Sequence, residues 1–314
     1  MIDTAKVAYV FPGQGSQFPG MGRDLYDSFA SARAVFQQAD EILKFPLSRL
    51  CFEGPDDELR LTINAQPALV TVSFACLKAI QEADGTGKLP APAFVAGHSL
   101  GEYTALAAAD VIDFAAAVYL ARERGRLMHE AGLKTAGGMA AIIGLDESVL
   151  TEVCQTTNTW IANFNCPGQM VISGAKENIE KAMELAKAKG AARTIPLQVS
   201  GAFHSPLMQP AMEGLAQIIA RLTFKDPKVP VVANTTAQPL IRGEQMGGEL
   251  TAQLLNSVQW QRSIEFMIEK GVSTFVEIGP GKVLAGLIKR INREANILNI
   301  GDAAAIKNLA SPSS

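Results

Sequence analysis

Gly97-His98-Ser99-Leu100-Gly101 sets a serine between glycines two positions away on each side, after a run that reads as a strand and before a segment of helical period opening at Glu102. A sharp strand-to-helix turn of this kind, a nucleophile elbow, holds a serine hydroxyl out where a carbonyl carbon can meet it, and the flanking glycines keep neighbouring backbone from clashing. Ser99 would stand at a helix N-terminus, where unpaired N–H groups and the helix dipole favour developing negative charge. The N–H of Leu100 is the natural first oxyanion donor. The same letters also occur as a plain turn of small residues; the strand before and the helix after favour the reactive reading.

A serine nucleophile needs a base, and the chain has three histidines. His98 adjoins Ser99, points to another side of the turn and reads as support for the elbow. His129, beside Glu130 near a helix end, reads as a surface residue. His204, in Ser200-Gly201-Ala202-Phe203-His204-Ser205-Pro206, lies in a loop between a strand and a helix, where rigid scaffolds present reactive groups. Alone it would fit a structural histidine equally well; with Ser99 in want of a partner it is the expected base.

An arginine stands where an apolar residue belongs. In the helix expected from Asp113 to Ala131, residues Ala117, Leu120, Ala121, Arg124, Met128 and Ala131 share one stripe. Arg122 and Arg126 fall off it and are expected in solvent. An inward guanidinium calls for an anion, and its planar fork suits a carboxylate, either an internal Asp or Glu or that of a substrate. Phe11-Pro12-Gly13-Gln14-Gly15-Ser16-Gln17 follows the first strand; its glycines let backbone N–H groups converge on an anion, and the N–H of Gln14 is a candidate second oxyanion donor. Glycines at 13, 15 and 20 do not have dinucleotide-loop spacing.

The elements that must carry these residues read as layered α/β. Apolar runs at Val7–Phe11, Ala93–Ala96, Val231–Ala233, Thr274–Ile278 and Ile297–Ile300 alternate with helical segments, the pattern of a mainly parallel sheet covered on both faces. Between Ala140 and Gln198 the order becomes βαββαβ, that of a split βαβ, ferredoxin-like unit. The expected domains are therefore a core from residues 1–131 and 200–314 and an inserted subdomain from 132–199.

Composition removes other classes. With 31 acidic against 28 basic residues the net charge is −3, so nucleic-acid binding is not expected. Apolar residues at 48% and charged residues at 19% suit a globular chain with a large core. No signal peptide is read at Met1–Lys6, and the apolar stretch Thr104–Ala121 is broken by Asp110 and Asp113, so neither secretion nor a membrane role is expected. Cys51, Cys76, Cys154 and Cys166 have no ligand or pairing spacing, so no metal and no disulfide are expected. The Ser-Pro-Ser-Ser end is expected to fray.

Taken together the motifs resemble the malonyl-CoA:acyl carrier protein transacylase family over nearly the whole chain. They appear in order as FPGQGSQ at 11–17, Gln66 in NAQPAL, GHSLGEY at 97–103, Arg124 and Met128 in RGRLMHEA, NFNCPGQ at 163–169, GAFHS at 201–205, VQW at 258–260 and EIGPGKVL at 277–284. The resemblance implies an α/β-hydrolase-like core with a ferredoxin-like insert, Ser99 as acylated nucleophile, His204 as base and acid, and Gln14 and Leu100 as the oxyanion hole. Arg124 would hold the malonyl carboxylate, with Gln66, Met128, Phe203 and His98 around the substrate and Phe203 the malonyl-selecting choice. The main-chain carbonyl of Gln259 would orient His204. Malonyl-CoA and an acidic acyl carrier protein are the implied partners, the latter received by Lys282, Lys289, Arg290 and Arg293; a cytoplasmic monomer without resident cofactor is implied. Asp110 stands where the family often has glycine, and Leu133-Lys134-Thr135 lacks a common hinge proline. A trans-acting polyketide acyltransferase, a serine hydrolase or thioesterase, and a non-catalytic docking module are the alternatives.

Overall fold

The computed structural model describes residues 6–83, 89–199 and 201–310; residues 1–5 and the Ser-Pro-Ser-Ser end, on which two expectations rest, lie outside them. Among the described residues the strands are, in chain order, β1 (Lys6–Phe11), β2 (Phe94–Gly97), β3 (Gly137–Ile143), β4 (Trp160–Cys166), β5 (Gln169–Ala175), β6 (Arg193–Pro196), β7 (Val231–Val232), β8 (Pro239–Leu240), β9 (Val272–Ile278) and β10 (Asn296–Ile300).

The larger sheet has the order β10-β9-β1-β2-β7-β8. Its first five strands run parallel and β8 closes the edge antiparallel to β7. Alternation along β1 explains why it reads as continuously apolar: Val7, Tyr9 and Phe11 enter one core, Ala8 and Val10 the other. The five expected strands are all present; the two-residue β8 carries too short a pattern to be read.

The second sheet, β4-β5-β3-β6, is antiparallel throughout and follows the expected βαββαβ order. Its helices, Glu147–Thr157 and Lys176–Ala188, cover one face through Ile142, Leu150, Ile172 and Ile179. Met139, Ala141, Ala162 and Val171 turn the other face toward the larger core. A bridge between Asn163 and Val258 ties the two parts together.

The stretch Thr104–Ala121 is divided between two helices, Gly101–Ala108 and Phe114–Lys134. Asp113 caps the second by accepting from the N–H of Ala116 at 2.8 Å. In the turn between them Asp110 takes φ 58°, the left-handed region, where a short polar side chain is tolerated and glycine is at ease. Among the described residues one helix, Thr62–Ala83, is long and apolar enough to cross a bilayer, and 89% of its apolar window is buried inside the protein. That helix contains Pro67, which cannot donate to the carbonyl of Ile63 four residues back. Arg122 Nη1 donates to that carbonyl at 3.0 Å and to Asn64 Oδ1 at 2.6 Å, so Arg122 is half-buried and engaged, not solvated as its position off the stripe suggests.

Candidate active site

Neighbouring parallel strands deliver the two loops of the site. Phe11 of β1 pairs in register with Gly97 of β2, so residues 12–17 and 98–100 leave the sheet side by side, joined by His98 N–H donating to the Phe11 carbonyl at 3.1 Å. Ser99 has φ 51°, a strained conformation for a side-chain-bearing residue, as a nucleophile elbow requires. The glycines around it are obligatory: a Cβ on Gly97 would stand 1.9 Å from Gly101 C, and one on Gly101 2.1 Å from the Phe11 carbonyl oxygen. The turn is anchored by Asn234, whose Oδ1 accepts from Ser99 N–H at 2.7 Å while its Nδ2 donates to the Gly97 carbonyl at 2.7 Å.

Ser99 Oγ lies 2.7 Å from His204 Nε2. His204 is 4% exposed and itself takes φ 56°. Its Nδ1 lies 2.7 Å from the main-chain carbonyl of Gln253. A carbonyl only accepts, so Nδ1 carries the proton and Nε2 is left able to take one from Ser99. This corrects the expectation for Gln259. Gln259 caps the helix Trp260–Glu269, and its carbonyl is consumed by Ser263 N–H at 2.9 Å. Gln253 instead ends the helix Met246–Ala252, where carbonyls have no partner in the next turn. Burial, with Arg124 nearby, holds the His204 pKa down at about 3, so the imidazole is the neutral base.

Arg124 is 1% exposed and, among the described residues, makes no ion pair. Its fork is held by neutral acceptors: Nη1 donates to Gln66 Oε1 at 2.8 Å, and Nη2 to Gln253 Oε1 at 2.8 Å and to Ser99 Oγ at 3.0 Å. Nε has no partner among the described residues. The guanidinium also lies 5.5 Å from the Tyr103 ring centroid, a cation–π contact that stabilises the charge without neutralising it. Gln66 Nε2 donates onward to Thr62 Oγ1 at 2.9 Å and approaches Met128 Sδ at 3.3 Å, and Thr62 Oγ1 donates to Gln14 Oε1 at 2.8 Å.

These groups line a cleft of about 440 Å³ between the sheets, with Gln14, His98, Ser99, Leu100, Arg124, Met128, Phe203 and His204 on its wall. Gln66 lies behind Arg124, fully buried. The N–H groups of Gln14 and Leu100 have no acceptor among the described residues. His98 donates from Nε2 to Asn165 Oδ1 at 2.9 Å, linking the elbow to β4, and burial lowers its pKa. His129 is half-buried, not on the surface, and its Nδ1 has no partner among the described residues. All four cysteines are buried and free, and no group of metal-ligating side chains occurs among the described residues. Sequence reasoning missed Gln253, Asn234 and Glu102. Glu102 was visible, as the charged residue opening an otherwise apolar helix.

A serine and a neutral histidine at a strand end, beside a buried guanidinium, are the equipment of an acyltransferase, and the chain belongs to the acyl transferase domain family, whose model matches residues 8–308. Within that family it falls among the malonyl CoA-acyl carrier protein transacylases. It is 47% identical over 308 residues to the one of Bacillus subtilis (strain 168), covering 96% of each chain. To that of Escherichia coli (strain K12) it is 46% identical over 288 residues, 90% of this chain and 92% of that one. The acyl-carrier-protein-S-malonyltransferase from Bartonella henselae superposes with a TM-score of 0.92 at 42% identity, covering 96% of this chain and 98% of that one. A malonyl-transacylase solved in complex with its type II PKS acyl-carrier protein matches with a TM-score of 0.92 at 41% identity, over 98% of this chain and 99% of that one.

Proposed function

We propose that this enzyme moves a malonyl group from malonyl-CoA to the phosphopantetheine thiol of an acyl carrier protein, by two displacements at Ser99. The carrying observation is that Ser99 Oγ is shared by His204 Nε2 at 2.7 Å and Arg124 Nη2 at 3.0 Å, which sets a nucleophile and a carboxylate holder one atom apart. His204 Nε2 takes the Ser99 hydroxyl proton as Oγ attacks the thioester carbon. The N–H groups of Gln14 and Leu100 receive the oxyanion. The C–S bond then breaks, and His204 returns the proton to the departing CoA sulfur. In the second half the carrier thiol gives its proton to His204, its sulfur attacks the malonyl-Ser99 ester, the C–O bond breaks and Ser99 Oγ recovers the proton. Arg124 holds the malonyl carboxylate with its cleft-facing N–H groups throughout, against Met128, Phe203 and His98.

No resident cofactor enters this cycle, and we take the enzyme as a cytoplasmic monomer built from a hydrolase-like core (1–131 and 200–314) and a ferredoxin-like insert (132–199). The helix Val283–Ile291 puts Val283, Leu284 and Leu287 on the cleft and Lys289 and Arg290 outside it, with Lys282 just before and Arg293 just after. Those cations suit an acidic carrier protein; reversing two of them should raise KM for the carrier and leave acylation by malonyl-CoA unchanged. The central test is intact-mass spectrometry after mixing with malonyl-CoA: the enzyme should gain one malonyl group, and Ser99→Ala should gain none. An adduct on Ser99→Ala would overturn the nucleophile. Fast discharge of the adduct by carrier protein, against slow discharge by water, separates transfer from hydrolysis.

A further inference from the structure

Gln253 does more than orient His204. Its Oε1 receives Arg124 Nη2 at 2.8 Å, and its Nε2 donates to the Ser99 carbonyl at 2.9 Å and to Glu102 Oε2. A side-chain amide has one accepting and one donating end: the oxygen faces Arg124, which only donates, and the NH2 end needs acceptors behind it, here the Ser99 carbonyl and a carboxylate. Behind it is Glu102, 0% exposed in the first turn of the elbow helix.

Every polar neighbour bonded to the Glu102 carboxyl is a donor: Asn234 N–H at 2.9 Å and Nδ2 at 3.1 Å on Oε1, and Gln253 Nε2 on Oε2. None can accept a proton from it. Burial first, and the nearby Glu249 second, raise the Glu102 pKa well above the ordinary carboxylate value against the pull of these donors. Glu249 differs, because the Thr235 hydroxyl at 2.5 Å can turn to accept. Of the two carboxyls, Glu249 is the one that can keep a proton with a partner to receive it, and the donors around Glu102 favour its anion.

We infer that Glu102 is a positioning residue for acyl-group selection: through the Gln253 amide it is the buried counter-charge of Arg124, and it keeps the amide carbonyl turned to the guanidinium so that the fork presents its remaining N–H groups to a substrate carboxylate. The inference rests on the reading of Arg124 as the malonyl holder. Replacing Glu102 by glutamine removes the counter-charge and leaves one accepting oxygen where two stood, so its NH2 group meets a donor, either Gln253 Nε2 or the Asn234 N–H groups. Facing Gln253, it pushes that amide away and loosens its hold on the guanidinium; facing Asn234, it still withdraws the charge behind Gln253. Acetyl groups, which have no carboxylate, feel only the indirect part of that change.

The test is steady-state acylation of Glu102→Gln by malonyl-CoA and acetyl-CoA. KM for malonyl-CoA should rise about 10- to 100-fold, as for loss of a charge-assisted contact, and the malonyl-to-acetyl ratio of kcat/KM should fall in step. Added to Arg124→Ala, Glu102→Gln should lower malonyl transfer no further. Equal losses for both acyl groups, or losses that add in the double variant, would overturn the inference. Should Glu102→Gln lose its cooperative melting transition, Gln253→Met, which keeps the carbonyl to His204 and the volume, reads the same ratio; an unchanged ratio there also overturns it. If Arg124→Ala itself leaves the ratio unchanged, the carboxylate-holder reading has failed. If Arg124→Ala shifts the ratio and Glu102→Gln does not, only the positioning role of Glu102 has failed.

Discussion

Arg124 and Arg126 stand two residues apart on one helix and face opposite worlds. Arg126, partly exposed, pairs with Glu123 and Glu130, each at 2.7 Å, and both partners raise its pKa. Arg124, buried, meets only amide and hydroxyl oxygens, and burial lowers its pKa. The solvent face neutralises its charge with neighbours at helical spacing, an arrangement that contributes little because water would do nearly as well. The cleft face holds the two terminal nitrogens of the guanidinium by hydrogen bonds while leaving its charge without a contacting carboxylate, which is the arrangement that rewards an incoming one.

That contrast can be broken in order of expected effect. Arg124→Ala should lower malonyl transfer by roughly 10²- to 10⁴-fold, the loss of two charge-assisted bonds, while acetyl transfer is retained or gained; equal losses would make Arg124 a structural arginine. Gln66→Met, which removes the oxygen on Nη1 and keeps the bulk, should cost about tenfold in malonyl kcat/KM, read in the same assay. The burial that defines the cleft face also acts on His204. Its native pKa of about 3 lies below the ordinary 6.5, so between those values the unfolded chain binds a proton that the native state does not. Stability from this group is therefore complete above 6.5 and is lost as pH falls through that window. Urea midpoints at about pH 7 and about pH 4.5 should separate less in His204→Gln than in the parent, since the variant cannot titrate there; equal separations would mean that His204 is not held neutral by burial. On the solvent face, Arg126→Ala should change stability by no more than about 0.5 kcal/mol and leave malonyl transfer intact, checked by thermal melting and the acylation assay.

Local signals made much of this readable. Ser99 is announced by glycines whose absent Cβ atoms the elbow needs, Arg124 by breaking an apolar stripe, and β1 by a run buried on both faces. The βαββαβ order of the second sheet was readable because each element is long enough to show its period. What escaped depends on backbone atoms or on distance in the chain. Gln253 orients His204 with a carbonyl, which every residue type possesses, so only its place at a helix end distinguishes it, and the resemblance pointed six positions too far. Asn234 reaches Ser99 N–H across 135 residues from a turn with no motif of its own. Arg122 was misplaced because its partner, the Ile63 carbonyl, is freed by a proline in a different helix.

The strand order has a consequence for how the chain is made. β1 lies between β2 and β9, and β9 begins only at Val272, far along the chain from the end of β1 at Phe11. Until that segment emerges, one edge of the central strand is unpaired, whereas all four strands of the antiparallel sheet fall between Gly137 and Pro196 and can close long before. Synthesis therefore completes the smaller sheet first and the larger one last, and a nascent chain stalled short of Val272 presents an open, apolar strand edge, the surface on which holding chaperones and aggregation compete.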